Sequence, residues 1–360
     1  MLETLYELFW SSGTSESDTD SDECERYGGK RPKITKYVED VVDKFSDFEF
    51  KENFRMNSFN YVLNLIKDDI STSLVDRGHP TINAKNQLLI AIWYFATPDS
   101  YRSLCSRFNI GRATGIRCVR RVTEAILKIQ SIISWPTGNT METVLNGYLN
   151  MGFPGVIGCI DGTYIPIPTP KENGLSYICR KNFAAIILQA VCDHNLMFTH
   201  CYAGEVGSRH DATVLKRSEI WQYMTAEKDD KSPNDSHLLG DKAYPCTPQL
   251  ITPYKDNGYL SNEQKNFNYL LSKSRSTIER AFAILKRRFR ILNYLDVRRL
   301  DSGCKYIIAC CVLHNICILQ DDIINMEHAD HNDDVQNNIA DVPEPETGAN
   351  KRNRLCQQLI

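Results

Sequence analysis

This 360-residue chain lacks several features that would narrow its function at once. Its thirteen cysteines include no Cys-x-x-Cys pair and no Cys/His cluster at zinc spacing, which argues against a structural zinc site. Residues such as Cys159, Cys192, Cys310 and Cys311 lie in apolar runs and read as buried, reduced thiols, so an intracellular compartment is expected. The N-terminus shows no basic region followed by an apolar run, so no secretory signal is expected. No uninterrupted apolar stretch approaches the roughly 20 residues that cross a bilayer, so no membrane association is expected. There is no internal repeat.

What is present is an uneven distribution of charge. The net charge is only −3. Residues 1–30 carry eight acids and two bases, and residues 321–360 carry nine acids and three bases. The segment 31–320 is therefore +9, a basic body between acidic tails, which suits a polyanionic ligand. Solvated surface charge is the plainer alternative.

The composition divides the chain into four parts. Residues 1–33 form an acidic tail, Ser/Asp/Glu-rich from Ser11 to Glu25 and expected to be disordered. Lys30-Arg31-Pro32-Lys33 is a weak candidate for a nuclear import signal. Residues 34–150 read as helical: Phe54, Phe59, Val62, Leu63 and Ile66 recur at helical spacing, and Asn83–Phe95 is a second apolar helix. Tyr101–Phe108, a turn at Asn109-Ile110-Gly111 with Gly111 suited to positive φ, and a helix from Arg112 to Leu127 resemble a helix-turn-helix. Its second helix bears Arg112, Arg117, Arg120 and Arg121; a structural helical hairpin with a solvated basic face is the competing reading. Gly152-Phe153-Pro154-Gly155 marks a boundary. From residue 151 to 320 the pattern turns to strands at Val156–Asp161, Ala184–Cys192, Met197–Ala203 and His237–Asp241, with Asp193-His194-Asn195 as a hairpin-like turn. Helices are expected at Asp211–Met224, from about 261, and at 302–320. Residues 321–360 are acidic and largely disordered in this reading, with a short amphipathic helix within Lys351–Ile360.

Four carboxylates stand in this second half. Asp161 ends the first apolar strand, in Gly158-Cys159-Ile160-Asp161-Gly162-Thr163. Asp241 ends the fourth, in Gly240-Asp241-Lys242-Ala243-Tyr244-Pro245. Asp211 lies in Gly207-Ser208-Arg209-His210-Asp211. Glu279 opens a helix whose apolar stripe is Ile278, Phe282, Leu285, Phe289 and Leu292. A charge at the end of a buried strand is costly unless something binds it, and a divalent cation removes the repulsion among converging acids. Any one of these residues alone reads more simply as a turn Asp or a first-turn Glu. Together they predict a site for Mg²⁺, with Mn²⁺ as substitute, using two ions about 3.5–4 Å apart for phosphodiester chemistry. Asp161 is placed to bridge both ions, and Asp241 and Glu279 each to complete one shell. Asp211 is a further ligand or a supporting group, and His210 a candidate for orienting substrate or water. Around Glu279, Arg275, Lys286, Arg287 and Arg290 supply a basic row that can follow a nucleic-acid backbone.

At these motifs, and at Ile278-Glu279-Arg280-Ala281-Phe282, Leu285-Lys286-Arg287-Arg288-Phe289 and Leu313-His314-Asn315, the chain resembles the PIF/Harbinger transposases and the nucleases derived from them. The resemblance spans roughly residues 54–320. It implies an α/β, RNase H-like mixed sheet flanked by helices, preceded by an all-helical region. It also implies an Asp161, Asp241, Glu279 triad with Asp211 as a fourth ligand. DNA cleavage and joining in the nucleus, with a Myb-like DNA-binding partner protein, would follow; a homo-oligomer is a further expectation. Ala283 departs from the family, which commonly has Gly there; Ala favours a helix, so little effect is expected. The rival reading is a domesticated, non-catalytic DNA-binding adaptor of chromatin or transcription on the same fold; an RNA-directed nuclease is a third.

Overall fold

In a computed structural model, residues 33–71, 81–225, 235–297, 299–324 and 346–359 are described. The acidic N-terminal tail, Lys30 to Pro32 of the candidate import signal, and residues 325–345 of the C-terminal tail lie outside them.

The second half is built on five strands: β1 (Val156–Pro166), β2 (Ala185–Cys192), β3 (Phe198–Val206), β4 (His237–Leu239) and β5 (Leu250–Ile251). Their order is β3-β2-β1-β4-β5. The first three form an antiparallel meander, and β4 and β5 run parallel to β1. The β2–β3 connection is tight because Asp193 accepts bonds from the N–H groups of Asn195 (2.8 Å) and Met197 (2.9 Å), an Asx-type turn. All eight residues of β2 are buried, as expected for a central strand covered on both faces.

Helices cover both faces. On one, Cys159 reaches the carbonyl of Ser274 in a 27-residue helix, Asn262–Arg288. On the other, Ile157, Ile160, Val191 and Leu238 pack with Leu215, Ile220 and Met224 of two short helices, Asp211–Arg217 and Glu219–Thr225.

The first half is helical: α1 (Tyr37–Asp40), α2 (Asp47–Phe54), α3 (Phe59–Ile70), α4 (Ala84–Ala96), α5 (Tyr101–Arg107), α6 (Arg112–Lys128) and α7 (Gly138–Asn150). α4 is buried from Gln87 to Ala96. It starts where Asn83 caps it by accepting the N–H of Asn86. Residues of α3, α4 and α6 share one buried cluster with the sheet and the later helices, so no packing gap separates the halves. After α8 (Gly174–Tyr177) come α9 (Asp211–Arg217), α10 (Glu219–Thr225), α11 (Asn262–Arg288), α12 (Leu300–Leu319) and α13 (Glu346–Gln358).

Several expectations change. β1 does not end at Asp161: pairing with β2 continues to Pro166↔Ala185, which makes Asp161 a mid-strand residue. Glu279 does not open a helix. It lies far inside α11, which begins at a full capping box of Ser261 and Gln264 and runs unbroken to Arg288. The chain then enters a 3-10 turn at Arg290–Asn293, so Arg290 leaves the helical row of bases. In the α5–α6 turn the left-handed residue is Asn109 (φ 52°), while Gly111 serves as N-cap of α6 at negative φ. Asn tolerates that conformation better than most residues. α12 is long and apolar enough, by length and composition, to cross a bilayer. It is instead largely buried against α6 and β3, so its hydrophobicity belongs to the core. The C-terminal helix starts at Glu346 and is docked: Lys351 Nζ donates to the carbonyls of Asp235, Ser236 and Pro248.

Candidate active site

The pairing of β1 with β4 aligns the first two acids. The last parallel rung is Cys159↔Leu239. Asp161, within β1, and Asp241, just past the end of β4, each stand two residues beyond it, so they lie at the same level of neighbouring parallel strands. β4 stops there while β1 continues with only β2 beside it. The Asp161 carboxylate therefore faces an opening in the sheet. Side chains alternate along a strand, so Asp161 shares the face of Cys159, which is the α11 face.

α11 closes this opening from one side. Its buried stripe of Leu271, Ser274, Ile278, Ala281, Phe282 and Leu285 docks on the sheet. The angular setting is held by Thr277, whose hydroxyl lies 3.1 Å from the hydroxyl of Tyr148 on α7; Tyr148 also donates to the carbonyl of Cys192. On the flank of the stripe, Arg275 donates from Nη1 to Asp161 Oδ2 (2.8 Å) and from Nη2 to Glu279 Oε1 (2.5 Å). One guanidinium thus bridges two of the three acids expected to form the triad. Lys286 donates to Thr163 Oγ1 (2.7 Å) and to the Tyr164 carbonyl (3.0 Å), tying the next turns of α11 to β1.

Asp211 approaches from the opposite face, at the start of α9. A Cβ built on Gly162 would lie 2.9 Å from Asp211 Oδ1, so glycine is what admits this carboxylate beside Asp161. Burial pushes Asp161 up to about 7, with Arg275 opposing and Asp241 and Asp211 adding to the rise. Burial likewise raises Asp211 to about 6, reinforced by Asp241 and opposed by Arg180 and His210. The Tyr244 phenol is driven far up by burial and by the charges of Asp211, Asp161 and Asp241. It accepts a bond from Gln189 Nε2 at 3.1 Å. Three aspartates thus share one field around Tyr244, with Glu279 joined to Asp161 through Arg275.

Among the described residues, no three His, Cys, Asp or Glu side chains already converge as a cation cage. Positive charge is supplied to two of the acids by Arg275 instead. The donor set still fits a divalent cation of the Mg²⁺ class. It offers hard carboxylate oxygens, and burial, reinforced by the neighbouring aspartates, holds Asp161 and Asp211 toward the protonated form, a bias that a bound cation would oppose.

The basic residues separate into different roles. On α6, Arg112, Arg117 and Arg120 are exposed, Arg120 beside the Tyr306 hydroxyl, whereas half-buried Arg121 donates to Gln87 Oε1 (3.0 Å). Arg287 is half-buried and Arg290 exposed near the end of α11. His210 is exposed at the N-cap of α9, beside Asp211. Leu313-His314-Asn315 serves packing: Asn315 clamps both backbone groups of Phe198 at the start of β3, and a His314 ring nitrogen sits 2.9 Å from the Leu196 carbonyl. Sequence reasoning did not single out Tyr244, Gln189 or Arg180. Tyr244 was within reach, three residues after Asp241 in the same turn. Gln189 and Arg180 carry no local signal, because only the β1–β2 pairing and the segment between those strands bring them near.

Residues 160–315 match the DDE superfamily endonuclease family. The chain is 29% identical to the Arabidopsis thaliana protein Antagonist of Like Heterochromatin Protein 1, over 80% of this chain and 79% of that one. It is 28% identical to the mouse protein named "Putative nuclease HARBI1" and 27% identical to the human protein of that name, each over 77% of this chain and 81% of the relative. No solved structure matches it. The mixed sheet flanked by helices is the RNase H-like fold of that superfamily. The match begins on β1 beside Asp161 and runs through α11 to Asn315, and relatives align over more than three quarters of the chain, so the chain is similar to the Harbinger transposase-derived DDE proteins.

Proposed function

We propose that the protein is a divalent-metal-dependent DNA endonuclease of the Harbinger class, able to hydrolyse phosphodiester bonds and to transfer them to a 3′-hydroxyl. Asp161 and Asp241 at the same level of adjacent strands, with Glu279 on the helix across from them, carry this reading. Asp161, Asp241 and Glu279 are the catalytic acids, and Asp161, Asp211, Asp241 and Glu279 would hold Mg²⁺ or Mn²⁺. Two such ions would activate the attacking oxygen and neutralise the leaving one. The chain's own part is positioning: β1 and β4 hold the aspartates, the Tyr148–Thr277 bond sets α11, and Gly162 leaves room for Asp211. His210, exposed next to Asp211, is placed to orient water or substrate.

Arg112 and Arg117 on α6, with Arg287 and Arg290 beyond the site, would contact the DNA backbone, and the α5–α6 pair would act as a helix-turn-helix. Arg120 and Arg121, already engaged within the helical region, would contribute less. Action in the nucleus beside a Myb-like DNA-binding partner completes the proposal. The chromatin-related name of the Arabidopsis relative supports the compartment. The retention of all four acids supports an enzyme over a non-catalytic adaptor.

The test is nicking of supercoiled plasmid with Mg²⁺ or Mn²⁺, for wild type and Asp161→Asn, each with and without a Myb-like partner. Nicking by wild type and a loss of at least about 10²-fold in the variant are expected, as when a main electrostatic group is removed. Equal nicking by both proteins, or none by wild type in any condition, would remove the enzymatic reading.

A further inference from the structure

Arg275 makes a contact that a simple nuclease site does not require. Its two terminal nitrogens hold two carboxylates from different elements, Asp161 of β1 and Glu279 of α11. The side chain is 19% exposed, so the pair with Asp161 is mostly shielded from water, while Glu279 is 53% exposed. Asp161's other bond comes from the Gly162 N–H, at 2.7 Å to Oδ1. The guanidinium therefore occupies Asp161 Oδ2, an oxygen that a cation held by this carboxylate would also use. A planar fork can span two carboxylates in this way, and a lysine ammonium cannot do so with the same geometry.

We propose that Arg275 is the resident counter-ion of this site. It holds Asp161 and Glu279 in register while no cation is bound, and leaves both for a phosphate oxygen of the DNA when cations take those carboxylates. The inference rests on the nuclease reading and adds a regulated occupancy to it. Three arguments support the exchange. A cation and the guanidinium compete for Asp161 Oδ2 and Glu279 Oε1, so they cannot both be fully engaged. Once released, Arg275 is a shielded charge one helical turn from Glu279, and its best available partner is an anion brought into the same opening. The phosphate backbone presents paired oxygens that match the guanidinium fork. Arg275 would then make a cation-loaded site favour DNA and an unloaded site refuse it. No bond is made or broken in this exchange; two ion pairs are traded for two others.

The experiment titrates the full-length protein with Mn²⁺ by calorimetry in the absence of DNA, for wild type, Arg275→Lys, Arg275→Gln and Asp161→Asn. Thermal melting of each confirms folding. Arg275→Lys keeps the charge but cannot bridge, so it should bind Mn²⁺ several-fold more tightly than wild type, and Arg275→Gln at least about tenfold more tightly. Affinity for a labelled duplex is then measured with Ca²⁺ in place of Mn²⁺. Wild type should gain about tenfold on adding Ca²⁺, and Arg275→Gln should lose most of that gain. If wild type binds Mn²⁺ and Arg275→Lys binds it equally or more weakly, Arg275 is an ordinary structural ion pair and the inference is overturned while the nuclease reading stands. If neither wild type nor the Arg275 variants bind Mn²⁺, the carboxylates are not a cation site, and both fall.

Discussion

α6 and α11 are both long, amphipathic and rich in arginine, yet they use their bases differently. On α6 the arginines divide between exposure at the first turns and pairing with neighbouring helices, as Arg121 does with Gln87. At the end of α11 and just past it, five consecutive positions take separate roles. Lys286 binds β1, Arg287 is half-buried, Arg288 is fully buried, Phe289 ends the helix, and Arg290 is exposed. Arg288 donates to the Arg55 carbonyl (2.6 Å), donates to the Asp322 carbonyl and pairs with the Asp322 carboxylate (3.4 Å). Asp322 in turn accepts from the backbone N–H groups of Asn57 and Ser58 and pairs with Lys51. A run of bases that looks like one nucleic-acid surface is thus a site tether, a core staple and an exposed charge within one and a half turns.

The largest effect that would break this comparison is on the staple. Arg288→Ala leaves Asp322 buried against fewer partners, so urea unfolding should show a loss of about 3–5 kcal/mol. A change under about 1 kcal/mol would put Arg288 with the surface arginines. The next concerns the acids that α11 faces. Asp161 and Asp211 are raised to about 7 and about 6, so the folded chain keeps their protons where free carboxylates have lost them. A cation must displace those protons, so Mn²⁺ affinity should be about tenfold weaker at pH 6 than at pH 8. A flat calorimetric profile would show that the acids are already ionised. The smallest effect belongs to α6. Arg117→Ala should leave the melting temperature unchanged, weaken duplex binding by less than about tenfold and lower the salt dependence by about one charge. Unchanged salt dependence would leave α6 as a purely structural helix.

Much of the frame was legible because it depends on local pattern. Apolar runs announced β1, β2, β3 and β4 within a few residues, and Asn83 and Ser261 are cap residues by type. The lengths were less legible, because partners set them. β1 continues through Gly162 and Thr163 since β2 offers rungs as far as Ala185. Glu279 sits mid-helix because a strong N-terminal capping box upstream and a docked apolar stripe keep α11 continuous across the polar residues between them. α12 looked like an ordinary helix in sequence, and its apolar character is explained only by what surrounds it.

By itself, the sequence determined which chemistry is on offer. Carboxylates following apolar runs, a helix carrying acid and bases, and a basic body between acidic tails are properties of residue order. Only the tertiary structure decided which of these groups meet. Asp161 and Asp241 are eighty positions apart and become level because β1 and β4 pair in parallel. Arg275 becomes a partner of Asp161 because α11 packs on that face of β1. Hydrophobic burial places the elements without regard to charge, and the charges then settle with whatever neighbours that packing has brought within reach.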